Sequence, residues 1–261
     1  MKGIVIACPN KYQDICLKNI NLIRDTYKCE LPIELWEIGN EIDVEIKNKM
    51  LIKNVLFKNV NNYCNNPTHW KGFQVKAFVL YNTDFDEVIL CDADVTFFKN
   101  PEIIFNDINY KNTGTYFFKD LDKWTFSNLT FNTTNKFNSL LFFNKRKQFI
   151  KNLIPTKTIL FPNEWNYIYD DDIPNFPVKE ALQESGVVYI NKTVHMDSLN
   201  IIFKLNNNHN ETYNYVLGDK ETFWIGCVMA NKEYYFNPIS GVIFNNCLSH
   251  FYNNELFWKQ K

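Results

Sequence analysis

At 261 residues, with 46% apolar side chains, the chain is long enough to bury a sizeable α/β core. Its 28 basic and 29 acidic residues nearly cancel and include no long basic run, which excludes nucleic acid and an anionic membrane surface as principal partners. The seven cysteines are odd in number, scattered and never spaced C-x-x-C, so they read as reduced, mostly buried thiols rather than a disulfide framework.

Residues 2–8, KGIVIAC, are too short for a signal-peptide core or a membrane span and predict a first strand. Pro9-Asn10 and apolar positions at Ile15, Ile20 and Ile23 follow, then IELWEI (33–38) and LIKNVLF (51–57). Trp70, Phe73, Ala77 and Leu80 fall at helical spacing, which leaves Gln74 and Lys76 off the apolar face; EVILC (87–91) follows the turn-like Asn82-Thr83-Asp84. This βαβ rhythm implies a Rossmann-like, mostly parallel sheet with ligands at the carboxyl ends of its strands. Further on, GTYFFKD (114–120) predicts a strand, SLLFFNKRKQFIKNLI (139–154) a helix and YDDDIPNFP (169–177) a loop. The rhythm resumes with ESGVVYINK (184–192), a helix in GDKETFWIGCVMA (218–230) opened by Gly-Asp, and CLSHFYNNELFW (247–258). With no internal repeat and no long linker, residues 1–261 read as a single domain.

The stretch EVILCDADVTFFKNP, Glu87 to Pro101, carries the chemistry. Asp92 and Asp94 end an apolar strand, and side chains two apart on an extended backbone share a face. Two adjacent carboxylates repel and are costly to desolvate, so a positive group belongs between them. Hard oxygen ligands suit Mg²⁺ or Mn²⁺ shared with a substrate's phosphates. Two enzyme classes fit. One is a nucleotide-sugar glycosyltransferase; the other is a HAD-type phosphatase, whose hhhh-D-x-D-x-T pattern VILCDADVT matches, with Asp92 as nucleophile and Asp94 as acid/base. A HAD nucleophile ends the first strand of its domain, whereas three strand-like segments precede Asp92. Asp171-Asp172 imitates the late acidic pair of that class. A non-catalytic sugar-binding protein is the third reading.

In order along the chain, QVKA (74–77), EVILCDADVTFFKNP, NTGTYFFKD (112–120), QESGVVYINK (183–192), GDKETFWIG (218–226) and LSHFYNNELFW (248–258) resemble the fungal Golgi α-mannosyltransferase family. The resemblance spans about residue 70 onward and implies a GT-A fold, with a nucleotide-binding half over about 1–110 and an acceptor half over about 111–261. It implies a retaining, metal-dependent hexosyltransferase moving mannose from GDP-mannose to a glycan or glycoconjugate acceptor, with UDP-sugars as the open alternative. Mn²⁺ or Mg²⁺ would be held by Asp92, Asp94 and His250, the last in LSHF. Asp219 and Glu221 of GDKE would face the reacting centre, with Asp219 the first choice; by local chemistry alone they are equally a helix cap and a first-turn acid. Glu184 and Ser185 are expected at the sugar or acceptor, Gly186 allows close backbone approach to a ligand, and Gln74 and Lys76 are expected toward the phosphates or nucleotide. His69 and His195 read as structural, and most of the tryptophans as core. Two departures stand out: no anchoring segment precedes the first strand, and Leu121 occupies a position where the family suggests arginine. The expected location is therefore the cytoplasm or a soluble catalytic domain, or a Golgi-like lumen if an anchor belongs to the protein.

Overall fold

The computed structural model describes residues 1–122, 124–126, 140–170, 177–179 and 181–260. Four parallel strands build the first part: β1 (Lys2–Ala7), β2 (Ile33–Glu37), β3 (Val55–Asn59) and β4 (Glu87–Asp92), ordered β3-β2-β1-β4. β1 and β4 are buried across their central residues, as strands covered on both faces must be. The connections carry α1 (Gln13–Asn21), α2 (Val44–Leu51) and α3 (Val75–Asn82). The apolar run 51–57 divides between the end of α2 and β3, with Asn54 at φ 57° making the turn.

After Asp92 the chain makes the short β5 (Thr96–Phe97), α4 (Ile108–Thr113), β6 (Thr115–Leu121), β7 (Trp124–Phe126), α5 (Leu140–Leu153), β8 (Pro177–Lys179) and β9 (Gln183–Asn191). Then come α6 (Lys192–Asn207), α7 (His209–Thr212), α8 (Thr222–Met229), β10 (Phe236–Phe244), β11 (Cys247–Tyr252) and β12 (Glu255–Gln260). β9 inserts antiparallel between β4 and β6, so the sheet is parallel in its first part and mixed beyond it. β6 pairs with β10 in parallel, and β10, β11, β12 and β5 continue antiparallel. β7 and β8 form a separate two-stranded ribbon.

Asn245-Asn246 and Asn253-Asn254 join the last three strands, all four with φ between 51° and 63°. That is the left-handed pair a two-residue hairpin turn needs, and asparagine tolerates it best after glycine. The expected loop at 169–177 lies largely outside the described residues, Asp171 and Asp172 included. Trp165, Trp224 and Trp258 are core, and His195 Nε2 donates to the Thr113 carbonyl (2.7 Å), all structural as expected. Among the described residues no helix is long and apolar enough to cross a membrane.

Candidate active site

Asp92 ends β4 and Asp94 lies two residues beyond it, both half-buried on the wall of a cleft of about 430 Å³ at the carboxyl ends of β1, β2 and β4. Pro9, Tyr12, Trp36 and Phe73 give this cleft its apolar sides, and Lys11, Glu41 and Lys71 stand among its charged residues. Glu41 and Lys71 are joined at 3.1 Å.

Behind the two aspartates lies an alternating charge network. Lys76, 4% exposed, sends Nζ to Asp219 Oδ2 at 2.9 Å and to Asp92 Oδ1 at 3.3 Å, and donates to Ser185 Oγ at 2.8 Å. Lys220 repeats the pattern, 2.6 Å from Glu184 Oε2 and 2.7 Å from Asp120 Oδ2. Desolvation opposes the Lys76 charge, yet Asp219 and Asp92 outweigh it and hold the ammonium above its ordinary range. Burial pushes the Asp219 carboxyl up to about 6 against the pull of Lys76, with Asp92 adding to the rise. The carboxyls of Asp92 and Asp94 are likewise raised, first by burial, although Lys76 lowers both and the Gln260 amide donates to both.

This geometry revises several expectations. Lys76 is not on an open helix face: α3 starts only at Val75, Trp70 closes a preceding 3₁₀ turn, and Phe73 is exposed, so the apparent 70–80 apolar face is not one helix. Gln74 does not reach the cleft wall; its Nε2 donates to the His69 and Lys71 carbonyls at 2.8 and 3.1 Å and ties down the loop before α3. Asp219 is not the cap of α8, whose cap position is Glu221. It follows Gly218, at φ 62°, and lies behind Lys76 rather than in the cleft wall. Glu221 does not face the cleft: Oε1 accepts from the Leu182 N–H at 2.7 Å, Oε2 accepts from Trp224 Nε1, and the residue is fully buried. It braces α8 against β9. Glu184 accepts from the Gly186 N–H at 2.8 Å, and a Cβ at Gly186 would lie 2.6 Å from Gln260 Oε1, so the close approach made there is to this side chain.

His250 is fully buried with both ring nitrogens unpartnered, stacked on Trp258 at 4.0 Å and edge-on to Phe118 at 5.4 Å. Burial lowers its pKa to about 3. Among the described residues no three His, Cys, Asp or Glu side chains converge as a metal site, so the expected set of Asp92, Asp94 and His250 is not assembled in this structure.

Instead Gln260 stands at the pair, its Nε2 donating to Asp92 Oδ2 and to Asp94 Oδ1, each at 3.1 Å. A donor shared equally by two carboxylates marks where a cation would be welcome, and the oxygen donors are those that Mg²⁺ and Mn²⁺ prefer. Asp92 and Asp94 therefore fit a divalent ion. Sequence reasoning missed Asp120, Lys220 and Gln260. Lys220 sat between two residues already singled out, whereas nothing local marks Gln260.

A parallel β3-β2-β1-β4 block continued by antiparallel β9, with D-x-D closing β4, defines a GT-A glycosyltransferase fold. Core-mannan synthase A (CmsA/Ktr4) from Aspergillus fumigatus, solved in an Mn/GDP form, superposes with a TM-score of 0.58 over 96% of this chain and 74% of that one, at 10% identity. The mannosyltransferase Ktr4p from Saccharomyces cerevisiae gives 0.51 over 98% and 71%, also at 10% identity. The mannosyltransferase family model Mannosyl_trans3 matches residues 1–251, and the chain belongs to that family. It is 28% identical over 263 residues to the alpha-1,3-mannosyltransferase MNT3 of S. cerevisiae, covering 93% of this chain and 40% of that protein. It is 25% identical over 278 residues to the alpha-1,2-mannosyltransferase MNN24 of Candida albicans, covering 95% and 36%. The chain thus spans less than half the length of these relatives.

Proposed function

We propose that the protein transfers mannose from GDP-mannose to a glycan or glycoconjugate acceptor, with retention at the anomeric carbon and dependence on Mn²⁺ or Mg²⁺. The observation that carries this reading is the join between the D-x-D pair and the buried Lys76–Asp219 ion pair at the edge of one cleft. The cleft's apolar walls suit a nucleoside, and its end at Asp92 and Asp94 suits the diphosphate. A bound divalent ion would neutralise charge on the departing diphosphate.

The chain's own residues account for the rest. Lys76 is a fixed cation beside the diphosphate end, held there by two carboxylates and Ser185, so its charge needs no reorganisation as the leaving group develops charge. In transfer the bond from the anomeric carbon to the diphosphate oxygen breaks, the acceptor oxygen bonds to that carbon, and the acceptor proton leaves on the diphosphate. Asp219, ionised above a pKa of about 6, would hold the Lys76 ammonium charged and in place at the diphosphate end of the cleft. Glu184 and Ser185 hold the network in place, the former through Lys220.

A thermal-shift panel of GDP, UDP and their sugar conjugates, each with Mn²⁺ and with EDTA, tests the reading. A ligand at 100 times its dissociation constant stabilises by about 2.7 kcal/mol. A GDP-selective shift abolished by EDTA is expected, followed by mannose transfer from GDP-mannose. A UDP-selective shift would replace the donor, and binding without turnover would favour a non-catalytic sugar-binding protein.

A further inference from the structure

Besides Lys76, the D-x-D pair meets a side chain of an unexpected type. β12 runs antiparallel to β5 with Thr96 opposite Lys259 and Phe97 opposite Trp258. Since β5 begins two residues after Asp94, this register carries Gln260 alongside the aspartates, and Gln260 lines the same cleft. Its amide nitrogen lies 3.1 Å from one oxygen of each carboxylate. In an octahedral shell with ligands at about 2.1 Å, neighbouring ligand atoms are about 3.0 Å apart, by simple geometry. The Gln260 amide thus stands from one oxygen of each aspartate at the separation that neighbouring ligands of such an ion would have.

We propose that Gln260 is a cation ligand of this centre, turning its amide oxygen toward a divalent ion held by Asp92 and Asp94 and its nitrogen toward the carboxylates in the ion's absence. The proposal rests on the metal-dependent reading above and assigns it a residue. Nitrogen and oxygen exchange places by a half-turn about the last side-chain torsion, a soft one. Gly186 leaves room for that turn: a Cβ there would meet Gln260 Oε1 at 2.6 Å. On this assignment His250, packed against Trp258 and Phe118, is not a ligand.

The test is a titration with Mn²⁺ of the full chain, alone and with GDP, following the electron paramagnetic resonance signal of the free ion. Gln260→Ala should weaken Mn²⁺ binding by about tenfold or more, within the range seen when contacts that tune a metal site are removed. Gln260→Glu, which keeps an oxygen ligand, should bind at least as tightly as wild type. His250→Phe, which preserves the aromatic packing, should leave the affinity unchanged. Unchanged or tighter binding in Gln260→Ala would show that the amide only competes with the ion, and would overturn the proposal. So would Gln260→Glu no better than Gln260→Ala, or a loss in His250→Phe equal to that in Gln260→Ala. Asp94→Asn separates the two levels: if it binds Mn²⁺ as wild type does, or if wild type binds none, the metal-dependent reading itself fails.

Discussion

Lys76 and Asp219 form a buried ion pair, Nζ to Oδ2 at 2.9 Å with side chains 5% and 2% exposed, and the same ammonium stands 3.3 Å from Asp92. One lysine thus ties the D-x-D strand to the segment leading into α8. Lys76→Met would leave two buried carboxylates facing each other, and loss of one partner from a buried pair costs about 3–5 kcal/mol. Urea unfolding at pH 7 should show a loss of that size. At pH 5 the loss should shrink, because protonation relieves the stranded carboxylates.

Asp219→Asn should lower mannose transfer by about a hundredfold or more, in line with removal of a preorganised electrostatic group. Burial raises this carboxyl to about 6, and on the proposed reading its ionised form is the one that holds Lys76. Wild-type activity should therefore fall as pH drops below that value, and the residual activity of the variant should lack this limb. An acid limb unchanged in Asp219→Asn would remove Asp219 from the chemistry.

Asp94→Asn should keep the fold and lose the Mn²⁺-dependent part of the thermal shift produced by GDP. The carboxylate faces the cleft and braces no backbone outside its own turn, so its melting temperature without ligand should stay near that of wild type.

His250 carries a pKa near 3 when folded against an ordinary 6.5, the result of burial. The unfolded chain takes up this proton below pH 6.5 while the folded chain refuses it until about 3, so the group's contribution to stability is complete above 6.5 and declines as pH falls. The slope approaches about 1.4 kcal/mol per pH unit for one proton. Asp219 acts in the opposite sense, being easier to protonate when folded than when unfolded, so its contribution rises as pH falls. Comparing His250→Phe with wild type by urea unfolding between pH 4 and 7 isolates the histidine: the variant should lose less stability toward pH 4.

Glu221→Gln should destabilise by about 1–3 kcal/mol while retaining nucleotide binding. An amide can still accept from the Leu182 N–H, but it must then present N–H to the Trp224 N–H and leave one donor unpaired. Urea unfolding and the thermal shift with GDP measure the two effects separately.

Local pattern determined much of this protein. The apolar runs at 3–8, 33–38 and 87–91 could only be covered strands, and carboxylates two apart at the end of the last had to share a face. Lys76, Asp92, Asp219, Glu184 and Ser185, named from the sequence, are joined in one network. Local pattern could not decide which way each charged group faces. Lys76 and Asp219 look like solvated helix positions until α3 is seen to start late and the turn at Gly218 to fold against Phe73. Glu221 and Asp219, two residues apart, part company because one meets backbone amides and the other a lysine. Gln260 reaches the aspartates for a long-range reason: the pairing of β12 with β5 joins residues more than 160 positions apart, and that register sets Gln260 beside Asp92 and Asp94. Strand identity follows from side-chain periodicity, which is local; strand register depends on the whole sheet closing, which is not.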